Sequence, residues 1–231
     1  MKRVYDFLFH LSRNNNKPWF DAHKDQYLIA KQVFDSFTSE LVDRICQWDP
    51  YLAANRPSVK DSTYRIYRDL RFTKDKRPYK EHMGAFIVPG GKKSPYCGYY
   101  FHLEPPGAMG YFGTCALYVG IYQPDAKIMA SFRDEVSVNG DAFLDTVKKA
   151  RGFNLYKEDL ARKVPAGFEG VENPLWAELL RLKDVNLTRF MDKDFIQSPD
   201  LAAKVSALLK RTKDFSLFLN RCVDYALEGN I

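Results

Sequence analysis

Apolar positions along the first fifty residues recur at spacings of three and four. Val4, Phe7, Leu8 and Leu11 make one such stripe, which predicts a short helix over 3–12. Asn14, Asn15 and Asn16 then break it. Pro18 suits the first position of a second helix, where its missing N–H costs nothing, and Asp21 would lie in that first turn, where the helix dipole favours a carboxylate. Tyr27, Ala30, Phe34, Phe37, Leu41, Ile45 and Trp48 continue as one stripe, so this helix is expected to run to about Trp48. The period then changes. Residues 63–69, 83–89, 96–104 and 114–122 are rich in Tyr, Phe, Ile and Val and read as strands. The run Pro89 to Pro95, with two glycines and two lysines, reads as an exposed hairpin tip. Gly107, Gly110 and Gly113 mark the next connection.

Helical spacing returns after Pro124. Ile128, Phe132 and Val136 share one face, and Phe143, Leu144 and Val147 define a second helix near 141–150. Short strands are expected at 153–157 and 185–191, around a helix at 174–182. Leu201, Val205, Leu208, Thr212, Phe215, Leu219, Cys222 and Ala226 predict one long final helix, capped by Ser198, started by Pro199 and ended by Gly229. Helices, then consecutive strands, then helices give an α+β fold: a mainly antiparallel sheet of about four to six strands flanked by N-terminal and C-terminal helices. A length of 231 residues fits a single domain over 1–231.

Charge changes this picture in one place. Residues 56–93 hold eleven basic side chains and four acidic ones, an excess of seven positive charges, whereas the remainder holds 24 basic against 25 acidic. The whole positive excess of the chain therefore lies in one stretch, which attracts anions. Its centre is Tyr64-Arg65-Ile66-Tyr67-Arg68-Asp69-Leu70-Arg71-Phe72, continuing to Lys80. If 64–69 is a strand, Tyr64, Ile66 and Arg68 share one face and Arg65, Tyr67 and Asp69 the other, so each face pairs an arginine with a tyrosine. Arginine offers a planar fork of donors to phosphate or carboxylate, and Asp69 or Asp75 could hold one in position. Arg65, Tyr67, Arg68, Asp69, Arg71, Lys76, Tyr79, Lys80 and, from the 96–104 strand, Tyr100 are the expected ligand-binding residues. Alternating Arg and Asp can equally be an ion-pair network that ties a loop to the sheet.

The run Arg68 to Lys80 resembles the signature of the bacterial and fungal family called domain of unknown function 2461. Asn15 to Phe20 with Tyr27 is similar to that family's N-terminal motif, and Gly98 to Pro105 and Gly120 to Pro124 resemble its central strands. The resemblance implies one compact α+β domain and assigns no catalytic residue.

On the strand at 96–104, Tyr96, Gly98, Tyr100, His102 and Glu104 fall on one face. His102 and Glu104 are the candidate catalytic pair, since a histidine and a carboxylate two residues apart on a strand can exchange protons; a plain hydrogen-bonded polar face is the alternative. No metal is expected: His10, His23, His82 and His102 lie in four separate elements, without ligand spacing. No cofactor is expected either. Gly90-Gly91-Lys92-Lys93-Ser94 fails the phosphate-loop pattern, with Phe86 at its first glycine position and Lys93 at its Ser/Thr position. Gly107, Gly110 and Gly113 do not follow the dinucleotide fingerprint. Trp19, Phe20, His23 and Tyr27 read as packing aromatics.

Cys46, Cys97, Cys115 and Cys222 form no CxxC pair, which fits a reducing cytoplasm. No secretory leader, membrane span or membrane partner is expected. A small anionic ligand is the favoured partner, whether for catalysis or binding alone. Nucleic acid, contacted by basic and aromatic groups, is the less favoured one, because no reader motif accompanies the moderate net charge of +6. A structural or partner-binding protein without chemistry is the third reading, and the pattern names no oligomeric state.

Overall fold

The computed structural model describes residues 1–108 and 112–229. Helices α1 (Lys2–Arg13), α2 (Lys17–Ala22), α3 (Lys24–Cys46), α4 (Pro50–Ala54) and α5 (Val59–Ser62) come first. Strands β1 (Met83–Ile87), β2 (Gly98–Leu103) and β3 (Cys115–Ile121) follow. After these come α6 (Ala126–Lys149), β4 (Asn154–Leu155), α7 (Pro174–Leu180), β5 (Val185–Met191), α8 (Lys193–Gln197), α9 (Leu201–Leu209) and α10 (Lys213–Leu227). The sheet is five-stranded and antiparallel, in the order β1-β2-β3-β5-β4, with helices at both ends of the chain flanking it; the fold is α+β.

The chain gathers into two compact units. The first holds Met1–Lys92, Tyr100–Leu117 and Phe190–Ala207; the second holds Lys93–Tyr99, Tyr118–Arg189 and Leu208–Ile231. In the first, α3 packs Phe34 and Phe37 onto Phe101 of β2, and Phe7 of α1 meets Phe20 and Tyr27. In the second, Phe143 of α6 meets Phe215 and Phe218 of α10, while Asn220 accepts the backbone N–H of Cys97 at 2.8 Å.

Four expectations are corrected. The long helix expected from Pro18 is two helices, separated at His23. That residue has φ −117° and ψ 20°, its ring stacks on Trp19 at 4.1 Å, and its Nδ1 lies 2.8 Å from the Trp19 carbonyl. These local bonds compete with the helical ladder, as short polar side chains do. Asp21 is paired with Lys17 rather than with a helix start, and Asn16 supplies the cap by accepting from Trp19 N.

Residues 63–69 are not a strand. Arg68 N donates to Pro78 O at 3.0 Å and Lys80 N to Ile66 O at 2.7 Å, so the segment folds back on itself, with only isolated bridges at Thr63–Ala85 and Tyr67–Tyr79. Finally, the C-terminal helix is two, α9 and α10, joined by a tighter turn at Lys210–Thr212; Ser198 caps nothing there, because its hydroxyl donates back to Phe195 O. Gly229 ends α10 with φ +78°, as a C-terminal glycine does. Asn139 interrupts α6 with φ −140°, which separates the two helices expected on either side of it. Of the glycines expected in the connection before β3, Gly110 lies outside the described residues.

Candidate functional site

The basic segment divides into two halves with different surroundings. From Arg68 to Glu81 the arginines are matched to the protein's own acids. Arg68 donates to Asp75 at 2.7 Å and to Arg77 O at 3.0 Å. Arg77 forks onto Asp75 and reaches the buried Glu81 at 2.7 Å. Arg71 pairs with Asp69 at 2.6 Å on the surface. These guanidinium groups hold Asp75 and Asp69 below the usual carboxylate range. Lys76 donates to Leu70 O at 3.2 Å. Asn15 closes the neck of the loop: it accepts from Tyr79 N and donates to Tyr79 O and Glu81. Tyr79 is buried and stacked on Phe20 at 3.9 Å, and the half-exposed Tyr67 packs beside both rings.

Around Tyr64 the balance differs. A cleft of about 30 Å³ is lined by Tyr27, Lys31, Asp35, Tyr64, Arg65, Lys80, His82 and Gly84 among others. At roughly 10–15 Å³ per water, that is space for a few waters or for the charged head of a ligand. Lys31 and Asp35 neutralise each other across one helical turn. Arg65 and Lys80 have no carboxylate within 4 Å among the described residues. The Lys80 ammonium lies 5.4 Å from the Tyr64 ring centroid, and Lys92, tied to the carbonyls of Lys60 and Thr63, lies 5.2 Å from the same ring. Burial, then the charges of Arg65 and Lys92, push the Lys80 pKa down. Lys80 and Lys92 thus share one tyrosine ring and Arg65 lines the same cleft, while Asp35 also lines it and Asp61 and Asp69 act at longer range on Lys92 and Arg65.

Next to this cleft runs a polar chain along β2. The Tyr100 hydroxyl is 3.0 Å from His102 Nδ1, and His102 Nε2 is 2.7 Å from Glu104 Oε2. Glu104 also accepts the Phe112 N–H at 3.1 Å. His102 and Glu104 are wholly buried, whereas Tyr100 is partly exposed. Period-two alternation on β2 places Tyr100 and His102 on one face, and Glu104 follows one residue past the strand end. His82, just before β1, packs its ring 4.8 Å from that of His102. Burial, then His102, pushes His82 down to about 3. Gly84 on β1 makes room for Tyr100: a β-carbon there would lie 2.4 Å from the hydroxyl oxygen.

The neck at Asn15, the paired loop, the strand of Tyr100 and His102 and the end of β3 at Gly120 are the stretches whose sequence carries a family likeness. The family described as Conserved hypothetical protein (DUF2461) matches residues 3–218. The chain belongs to the DUF2461 family. No curated protein and no solved structure matches it. In this DUF2461 chain the expected site residues fall into three groups: Arg65 and Lys80 at the cleft; Arg68, Asp69, Arg71, Lys76, Tyr67 and Tyr79 in the braced loop and its aromatic neck; Tyr100, His102 and Glu104 in the polar chain.

Sequence reasoning left out His82, Gly84 and Lys92 as site residues. His82 and Lys92 come from outside 64–80, and their place depends on how β1 and its connection return to Tyr64. Among the described residues, no three His, Cys, Asp or Glu side chains group as metal ligands, and no helix is long and apolar enough to cross a membrane. The cysteines are free thiols; burial raises Cys115 to about 11, which keeps it from acting as a thiolate.

Proposed function

We propose that this DUF2461 protein binds a small phosphate- or carboxylate-bearing ligand in the cleft beside Tyr64, anchored by Arg65 and Lys80. The observation that carries this reading is the Lys80 ammonium. It is half buried, its charged neighbours include Arg65 and Lys92, and its pKa is pulled down by burial first and then by those charges. An anion placed there offsets the repulsion of Lys80 by Arg65 and Lys92, so binding energy comes from charges already in position. Tyr64 and Tyr27 line the same cleft and offer hydroxyls to orient the ligand.

A second reading applies to the other half of the segment. The network of Arg68, Asp75, Arg77 and Glu81, closed by Asn15, is a brace, because every one of its arginine forks points at an internal acid.

Thermal unfolding in inorganic phosphate, and separately in citrate, tests the binding reading. Ligand that binds only the folded state stabilises it, by about 2.7 kcal/mol at a hundredfold excess over Kd. The wild-type melting temperature is expected to rise by several degrees. Lys80→Met and Arg65→Ala keep the ligand-free melting temperature, or raise it as repulsion is relieved, and lose most of the gain. Arg71→Ala, whose partner is exposed Asp69, keeps the gain. An equal gain in all four proteins contradicts the assignment.

A further inference from the structure

We propose that Lys80 is a nucleophile that forms an imine with a small carbonyl compound, held in this cleft by the compound's own carboxylate or phosphate group. This rests on the reading that the cleft receives an anion at Arg65, and it adds a covalent step to that binding.

Lys31, Lys80 and Lys92 lie at or beside the cleft, and their partners differ. Lys31 is tied to Asp35 one helical turn on. Lys92 donates to the carbonyls of Lys60 and Thr63 at 2.8 and 2.6 Å. Among the described residues, the Lys80 ammonium has no carboxylate within 4 Å and donates no hydrogen bond; it lies 5.4 Å from the Tyr64 ring centroid. A lysine attacks a carbonyl only as the neutral amine. Burial favours that form of Lys80, and the charges of Arg65 and Lys92 favour it further. The Tyr64 ring attracts the ammonium and is the opposing effect, shared with Lys92. Desolvation beside other cations is a known means of activating lysine toward carbonyls. An anion at Arg65 offsets part of the cationic effect, but burial, the larger cause, is left in place.

Arg65 lines the same cleft as Lys80 and is close enough to act on its charge. Its guanidinium stays charged throughout the physiological range and offers a planar fork to an anionic group. At about 30 Å³ the cleft suits a molecule of a few heavy atoms. The substrate class is therefore a small aldehyde or ketone that bears a carboxylate or a phosphate. In the step, the neutral Lys80 Nζ attacks the carbonyl carbon. The C–N bond forms, and the carbonyl π bond breaks with its electron pair going to oxygen. The two amine hydrogens pass to that oxygen by exchange with water, and it leaves as water. A C=N bond remains, and nothing is oxidised or reduced. Protonated from solvent, the imine draws electrons from the bonds next to its carbon, and the substrate's own anionic group at Arg65 offsets the new positive charge. Lys80 is the catalytic residue of this scheme; Arg65 holds the substrate.

Reductive trapping on the full chain tests the step. Cyanoborohydride delivers hydride to the imine carbon and fixes the probe on nitrogen as a secondary amine; peptide mapping then reads the rate at each lysine. The probes are pyruvate and its uncharged counterpart hydroxyacetone, and, for a phosphate, dihydroxyacetone phosphate and dihydroxyacetone. In the wild type Lys80 is expected to be labelled about tenfold or more faster than the exposed Lys74. Measured against Lys74, the anionic member of at least one pair is expected to label Lys80 about tenfold faster than the uncharged member. Arg65→Ala, at an exposed position, is expected to remove that preference. A wild-type Lys80 rate no greater than that of Lys74 with every probe overturns the imine, while the melting temperature in phosphate still reads the binding site by itself. Fast labelling of Lys80 without preference for either anionic probe overturns the substrate class and the anion site with it.

Discussion

Lowering the pH from 6.5 to 5 is expected to remove about 2 kcal/mol of unfolding free energy, and His82→Leu to abolish most of that loss. The cause is the neutral state imposed on His82. Burial is the main effect; the neighbouring His102 adds to it, Lys80 and Arg68 contribute further, and Glu104 opposes them, with the pKa ending near 3. In the unfolded chain the group titrates near 6.5. Above 6.5 both states hold it neutral and its packing stabilises the fold in full. Below 6.5 the unfolded state takes up a proton that the folded state refuses until about pH 3, so stability falls as pH falls through that interval. Between 6.5 and 5 the ordinary carboxylates have hardly begun to protonate, which isolates the histidine contribution. Urea unfolding at pH 7, 6 and 5 measures it. A stability that stays flat over this range, or falls equally in His82→Leu, contradicts the account.

Arg77→Ala is expected to cost about 3 kcal/mol, because it leaves the buried Glu81 carboxylate without its partly exposed cationic partner. Glu81 is almost wholly buried and takes Arg77 at 2.7 Å and Asn15 at 2.8 Å. Without the guanidinium its charge remains in a desolvated place, and Asp75 loses the fork that now grips it. Arg71→Ala removes an exposed pair and is expected to stay within about 0.5 kcal/mol of wild type. Denaturant unfolding of the two variants side by side decides the matter. Equal effects would mean that the loop is not braced through Glu81.

Where a hydrophobic stripe decides an element, the sequence was sufficient. The stripe of Phe34, Phe37 and Leu41 lies on the buried face of α3, and the aromatic and β-branched runs at β1, β2 and β3 are consecutive neighbours in the sheet. It misled where local polar bonds override the stripe: His23 interrupts a pattern that continues on both sides of it, and the alternation at 63–69 belongs to a chain that pairs with 78–80 rather than with a long strand. For the site, period two was enough to align Tyr100 with His102, with Glu104 just beyond. The segment's charge count could not separate arginines matched by Asp75 and Glu81 from Arg65 and Lys80, since that depends on which way the loop turns after Asp69. The contribution of His82, Gly84 and Lys92 arises only once β1 and the turn after it are brought back to Tyr64.

Arg65 and Lys80 are proposed to form an anion site, with no carboxylate among the described residues within 4 Å of either. A crystal structure of the wild-type protein grown in inorganic phosphate tests it most directly. The expected result is phosphate density in the cleft within hydrogen-bonding reach of the Lys80 ammonium and the Arg65 guanidinium. A cleft holding only water while phosphate sits elsewhere on the molecule would contradict it.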